Sequence, residues 1–308
     1  MKLETILKKS GFTDEISSFL IEKDSVYFAQ LEELAEEYAK DKSYLTDGLY
    51  VSGSRDEAWE TAQKFGSRAC AFTEGDDNPH TVRLLFWLHV VPYIQERYRE
   101  KGISEDIFWQ TAKDLKIKCD ECMEAYGVAG SFTDWFFLMA DLKLFALGRL
   151  HYEFAPFEHD SYRFGNYELK RNELVLACHI PSDGPLKPEL CLDSLKRAYE
   201  FFKPYFKDGI MPVTLYSWLI YPPYAEKIYK DGSNLKEFYN MFHMLDEGEP
   251  DPEFGDFVRI FGKHREDIDV LPQKTSLQRG FAKYLEDGNM AGRGFGICLF
   301  DGEKIINR

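Results

Sequence analysis

Residues 173–203 read ELVLACHIPSDGPLKPELCLDSLKRAYEFFK, and the change of texture inside that stretch decides the fold. Leu174 to Ala177 is a short apolar run suited to a buried strand. Ser182-Asp183-Gly184-Pro185 is a turn, and from Leu190 onward the apolar residues recur at helical spacing. A strand that breaks into a polar loop and restarts as a helix leaves amide N–H groups unpaired, with the positive end of the helix dipole at the break. Such a place attracts phosphate.

Downstream, Leu192, Leu195, Tyr199, Phe202 and Phe206 trace the buried stripe of a helix from Leu190 to Phe206. Met211 to Ile220 is the next strand, ended by Tyr221-Pro222-Pro223, which cannot continue a ladder. Ser233-Asn234 opens a helix toward Leu245, residues 246–255 form an acidic loop, and Phe257 to Phe261 has the look of a short strand. Thr275 and Gln278 form a capping box for a helix to Glu286, and Phe295 to Phe300 is the closing strand.

Upstream, Leu150, Tyr152 and Phe154 alternate with Arg149, His151 and Glu153, the period of a strand with one polar face. Arg163 to Lys170 is a second strand, and Arg171-Asn172 turns into Leu174–Ile180, so the three are expected as an antiparallel meander. The order β β β α β α β α β implies one parallel pair inside a mostly antiparallel sheet.

Up to Leu147 the chain is helical in character. Ser25 is placed as the N-cap of a helix whose faces are Val26, Leu31, Leu34 and Tyr38 against Glu32, Glu33, Glu36 and Glu37. Ser54 caps a helix ended by Gly66. Thr81 to Arg99, apolar nearly all round and kinked at Pro92, is the buried centre of a bundle. Ser104 starts a helix that Gly127 stops after Tyr126. Cys119 and Cys122 within it lack the further ligands that a tetrahedral zinc site needs, and His80 and His89 do not share a helix face, so no metal is assigned. The fold class is α+β, with an all-helical domain over 1–147 and a mixed β-sheet domain flanked by helices over 148–308.

With 308 residues, 44% of them hydrophobic and 16% aromatic, the chain has ample material for real cores. Its 53 acidic against 38 basic residues give a net charge of −15, which repels nucleic acid and anionic lipid. The apolar stretch Leu84 to Ile94 is interrupted by His89 and Pro92 and falls short of the about 20 residues needed to span a bilayer. The N-terminus has no apolar signal core, and the six cysteines read as reduced thiols. The expected compartment is the cytoplasm.

Several stretches carry a resemblance: GRLHYE at 148–153, HIPSDGPL at 179–186, YSWLIYP at 216–222, SNLKEF at 233–238, LPQKTSLQRG at 271–280 and GRGFGICLF at 292–300. In wording and order they resemble a bacterial two-part family, in which an N-acyltransferase N-terminal helical domain precedes a GNAT-like C-terminal domain. The resemblance implies acyl-CoA, acetyl-CoA foremost, as co-substrate, and a small-molecule amine of unspecified structure as acceptor. It also implies that a pantetheine arm lies where the parallel strands Leu174–Ile180 and Val213–Ile220 splay apart, with pyrophosphate on the loop Pro181–Pro188. The cofactor would then touch Cys178, His179, Ile180, Ser182, Asp183, Gly184 and Leu186 on one side, and Ser217 and Trp218 on the other. The loop departs from the family pattern, carrying Gly184 alone between Pro181 and Pro185, which lack N–H donors, beside Asp183, which opposes phosphate.

Acyl transfer to an amine needs a base, a donor for the thioester oxygen and an acid for the leaving thiolate. His179, where a strand ends at the expected cleft, is the first candidate base, and Glu153 the second. Tyr221 is the candidate acid. A Cys178–His179 nucleophile is set aside because adjacent strand residues point to opposite faces. The rival reading is a non-catalytic GNAT-shaped module that binds a small ligand or a basic partner.

Overall fold

A computed structural model describes residues 1–41, 54–206, 208–251, 256–262 and 270–308. The chain divides into two compact units, Met1–Ala146 and Leu147–Arg308.

The first unit is built from α1 (Leu3–Ser10), α2 (Asp14–Lys40), α3 (Ser54–Cys70), α4 (Pro79–Glu100), α5 (Glu105–Ala112), α6 (Asp114–Tyr126) and the short α7 (Phe137–Ala140). The buried centre is α4, as expected, with Leu84 through Leu88 fully covered. Tyr38 packs edge-on against Phe65, Phe86 and Trp87, so α2, α3 and α4 share one aromatic core. Three expectations change here. The cap of α2 is Thr13, whose side chain accepts from Ile16 N, while Ser25 lies inside the helix with its hydroxyl on Glu22 O. Gly66 does not end α3: a Cβ there would stand 2.0 Å from Asp134 Oδ1, so glycine is needed for close approach. Residues 105–126 form two helices, broken at Lys113. Ser104 and Gly127 cap that pair as read from the sequence, whereas the Ser54 side chain lies outside the described residues.

The strands are β1 (Leu144–Leu147), in which the division between units falls, β2 (Leu150–Pro156), β3 (Ser161–Phe164), β4 (Tyr167–Lys170), β5 (Leu174–His179), β6 (Met211–Ser217), β7 (His243–Met244), β8 (Glu249–Pro250) and β9 (Gly292–Phe300). The helices of the second unit are α8 (Pro188–Phe202), α9 (Pro222–Lys227), α10 (Asn234–Tyr239), α11 (Phe257–Phe261) and α12 (Ser276–Glu286). Within the second unit the strand order is β2-β5-β6-β9-β7, with β8 also on β9. β5 and β6 are the parallel pair, and β2, β9, β7 and β8 run antiparallel to their neighbours.

The expected meander is corrected. β2 pairs directly with β5, and residues 161–170 form a separate two-stranded hairpin off the sheet. That hairpin caps a core of Phe157, Tyr162, Leu169, Val175, Phe295, Ile297 and Leu299. Asn307, itself buried, ties this side to β9 through Leu299 N, Ile297 O and Tyr162 Oη. Residues 257–261 are a helical turn and not a strand. Strand β6 stops at Ser217 and passes into a 3₁₀ turn, Trp218–Ile220. The helix after Ser233 ends at Tyr239, before Leu245; the Thr275–Gln278 capping box forms as read. Of the acidic loop, residues 252–255 lie outside the described residues.

Sheet register sorts the side chains. Tyr152 faces Cys178, Phe154 faces Leu176, and Val213 faces Cys298, so these share one side of the sheet. Helix α8 covers that side: Ser194 Oγ accepts from Leu150 N and Tyr152 Oη and donates to Leu147 O, and the Phe202 ring lies 5.0 Å from Phe154.

Candidate active site

The other side of the sheet is where polar side chains collect. Register pairs His151 with His179, Glu153 with Ala177 and Ala177 with Thr214, which puts His151, Glu153, His179 and Thr214 on one face. The alternation of β2 suggested a polar, solvent-facing side, but His151 and Glu153 are buried. Burying a carboxylate costs several kcal/mol unless it is paired. Glu153 is paired: His179 Nε2 donates to Glu153 Oε2 at 2.7 Å, with the imidazole 26% exposed and the carboxylate 3%. A half-open imidazole backed by a covered carboxylate is held in one orientation, with its Nε2 committed to Glu153.

His179 also closes β5 where the parallel ladder stops. The β5–β6 register consists of Leu176 with Val213 and Ala177 with Thr214. Past that point β5 stays on β2 through His179, and β6 stays on β9 through Ser217. The β5–β6 ladder thus ends at Ala177 and Thr214, two residues before His179.

The 181–187 loop then enters α8 with Pro188 at its first turn and no side-chain cap on Lys187. Ser182, Asp183, Gly184 and Pro185 are exposed, whereas Pro181 and Leu186 are buried and anchor the loop's two ends. Arg149 is a residue at this loop that no local sequence pattern singles out. Its Nε donates to Pro185 O at 3.1 Å and its Nη2 to Gly184 O at 2.5 Å, while Nη1 has no hydrogen-bond partner and lies 3.6 Å from Asp183 Oδ1. The guanidinium is 8% exposed, and burial pushes its pKa down. The charge on Asp183 is thus offset by a buried cation with one unused donor, which fits a phosphate-bearing ligand at this loop. Arg149 and Gly184 are 35 positions apart, and no local signal in the sequence would have joined them.

The remaining sequence candidates fall elsewhere. Cys178 is on the α8 side, opposite His179, and burial pushes its thiol far up, with Cys191 and Cys298 adding to the effect. Ile180, half-buried, follows His179 out of the strand. Ser217 Oγ accepts from Leu219 N and so caps the 3₁₀ turn, and Trp218 is buried with its ring 6.1 Å from Phe281. Tyr221 is buried against Tyr224, with ring centroids 4.8 Å apart, in the space left by Gly248 and Gly292; burial pushes its phenol up. Among the described residues, no three His, Cys, Asp or Glu side chains converge to hold a metal ion. Burial pushes Cys119 to about 12 and Cys122 to about 11, so neither is a thiolate at neutral pH. Among the described residues, no helix is long and apolar enough to cross a membrane.

The family model of the GNAT-like C-terminal domain matches residues 144–298, and that of the N-acyltransferase N-terminal domain matches residues 1–141. No curated protein matches the chain. Among solved structures, it is similar to an acyltransferase in complex with decanoyl-CoA and teicoplanin, at 21% identity and a TM-score of 0.60, over 96% of this chain and 99% of that one. It is also similar to a mutant acyltransferase in complex with octanoyl-CoA, at 20% identity and a TM-score of 0.60, over 99% of this chain and 100% of that one. At such identities the likeness is one of fold. By sequence family and by architecture, the chain belongs to the proteins with a GNAT-like C-terminal domain, here preceded by an N-acyltransferase N-terminal domain.

Proposed function

We propose that this protein is an acyl-CoA-dependent N-acyltransferase. The observation that carries the reading is the His179–Glu153 pair, 2.7 Å apart, just past the end of the β5–β6 ladder. Support also comes from the loop into α8 with Arg149 behind it, and from similar folds whose structures hold decanoyl-CoA or octanoyl-CoA.

In this reading His179 Nδ1 takes a proton from the acceptor ammonium while Nε2–H stays on Glu153. The free amine forms a C–N bond to the thioester carbonyl carbon. The C–S bond then breaks, the CoA thiolate takes one proton from Tyr221 or from the imidazolium, and the second proton of the former ammonium leaves the amide nitrogen to restore that donor or to pass to water. Tyr221 is the weaker candidate for the acid role, because burial raises its pKa and makes the phenol a poorer proton donor. Loop amides at Ser182, Asp183 and Gly184, with Arg149, would receive the pyrophosphate, and Ile180, Leu186, Ser217 and Trp218 would line the arm, whereas the Cys178 side chain, on the α8 side of the sheet, does not reach it. Acetyl is the acyl group expected from sequence. The complexes of similar fold carry longer chains, so the acyl pocket is to be probed from acetyl to decanoyl.

A thermal-shift series with acetyl-, octanoyl- and decanoyl-CoA tests binding, because a ligand of the native state raises Tm by mass action. Transfer to an amine is then followed by thiol release. No shift with any acyl-CoA would overturn the reading. A shift without transfer to any of a broad set of amines would favour the non-catalytic module.

A further inference from the structure

The helical unit contains a cavity of about 430 Å³ lined by residues of α1, α2 and α4 and the turn before α1. Small-molecule sites begin at roughly 300 Å³, so the space is adequate for one. Two of its lining residues are Asp24 and His89, and His89 Nε2 donates to Asp24 Oδ1 at 2.6 Å. Each side chain is 11% exposed. Asp is a poor residue for a helix interior and a carboxylate is costly to bury, so both local preferences oppose Asp24 where it stands.

The chemistry of the pair selects its ligand. A carboxylate has about four acceptor sites, of which His89 uses one, and an imidazole protonated at Nε2 keeps Nδ1 as an acceptor. With a neutral imidazole and its proton on Nε2, the pair offers acceptors and no further donor. Its apolar lining includes Ile6 and Leu88, both buried, and the Phe28 ring, edge-on to His89 at 5.4 Å and 48% exposed. Tyr93 lines the same space, and Asp24, Glu4 and Glu32 together outweigh Lys2 and the Met1 amino group in charge there. An occupant needs hydrogen-bond donors, positive charge and an apolar body.

We propose that this cavity binds a primary ammonium carried on an aromatic or short alkyl body, with the ammonium on Asp24 and His89 and the body against Phe28. The proposal is independent of acyl transfer, since every residue in it belongs to the helical unit and no acyl-CoA is required.

The test is calorimetric titration of the full chain, without acyl-CoA, with phenethylamine and with the neutral phenethyl alcohol. The expected result is saturable amine binding, with the alcohol at least ~10-fold weaker, the worth of one charged hydrogen bond. Asp24→Asn should weaken the amine by a similar factor. A Phe28→Trp variant should show an emission change with the amine, and with the alcohol only at concentrations at least ~10-fold higher, which places the ligand even if Asp24→Asn does not fold. Equal binding of amine and alcohol, no amine binding, an amine affinity unchanged in folded Asp24→Asn, or a silent Trp at 28 while amine binds would each overturn the proposal.

Discussion

His179 Nε2 lies 2.7 Å from Glu153 Oε2, a diagonal contact across an antiparallel strand pair in which His151 faces His179 and Glu153 faces Ala177. The register holds the imidazole in place, because a one-residue slip would send both side chains to opposite faces. Under the proposed function the pair would also couple catalysis to stability, since loss of His179 takes a hydrogen-bond donor from a buried carboxylate.

Replacing His179 by Ala is expected to lower the acyl-transfer rate by about 100-fold or more, the usual reach of a general base. It should also lower Tm. His179→Gln keeps an N–H donor for Glu153, so it should recover much of the Tm and none of the rate. Rates measured at saturating acyl-CoA separate the two effects. A full rate in His179→Gln would move the base to Glu153 or to water.

Tyr221→Phe removes the phenol and keeps the ring that fills the space over Gly248 and Gly292. If Tyr221 protonates the leaving thiolate, kcat should fall about tenfold or more with Tm nearly unchanged. An unchanged kcat would assign that proton to the imidazolium of His179.

Arg149→Ala removes two hydrogen bonds to the loop carbonyls of Gly184 and Pro185 and leaves Asp183 without its counter-charge. The expected cost is about 1–3 kcal/mol of stability, with at least tenfold weaker acyl-CoA binding. Titration with CoA and with a pantetheine thioester that lacks the nucleotide checks the assignment. The CoA affinity should fall much more than that of the truncated thioester.

Gly66→Ala sets a small gain against a larger loss. Alanine is better than glycine in a helix by about 1 kcal/mol. Its Cβ, however, would meet Asp134 Oδ1 at 2.0 Å, the atom that accepts from Trp87 Nε1 at 3.0 Å. Displacing that carboxylate costs roughly 1–3 kcal/mol, so the net effect should be a lower Tm in thermal unfolding.

Asp77 gives a pH dependence whose sign is fixed. Its hydrogen bond from Lys23, then that from Tyr27, holds its carboxyl below the ordinary 3.8. A depressed carboxyl contributes stability that is present above its unfolded value and lost as pH falls through the folded one. The Tm gap between the native chain and Asp77→Asn should therefore be full at neutral pH and close as the pH falls below about 3.8. A gap that widens on acidification would remove this account.

Much of the molecule was legible from local chemistry. The strand–loop–helix of 173–203, the buried α4, the capping box at Thr275 and Gln278 and the αL stop at Gly127 are short-range patterns, and local patterns survive into the fold. The errors have physical causes as well. Residues 163–170 alternate like a sheet strand, yet they pair only with their own hairpin, because alternation specifies a strand and not its partner. Residues 257–261 are apolar and short, the case in which period cannot separate strand from helix.

The sequence by itself determined where strand gives way to helix, which side of each element is apolar, and that His179 ends its strand at the phosphate-attracting loop. Only the tertiary structure decided that the polar side of β2 is buried, that Glu153 is the partner of His179, and that Arg149 braces a loop 35 residues away. The division follows from range. Propensity and capping act over about four residues along the chain, whereas burial, ion pairing and strand register are set by segments that meet only after the chain has folded.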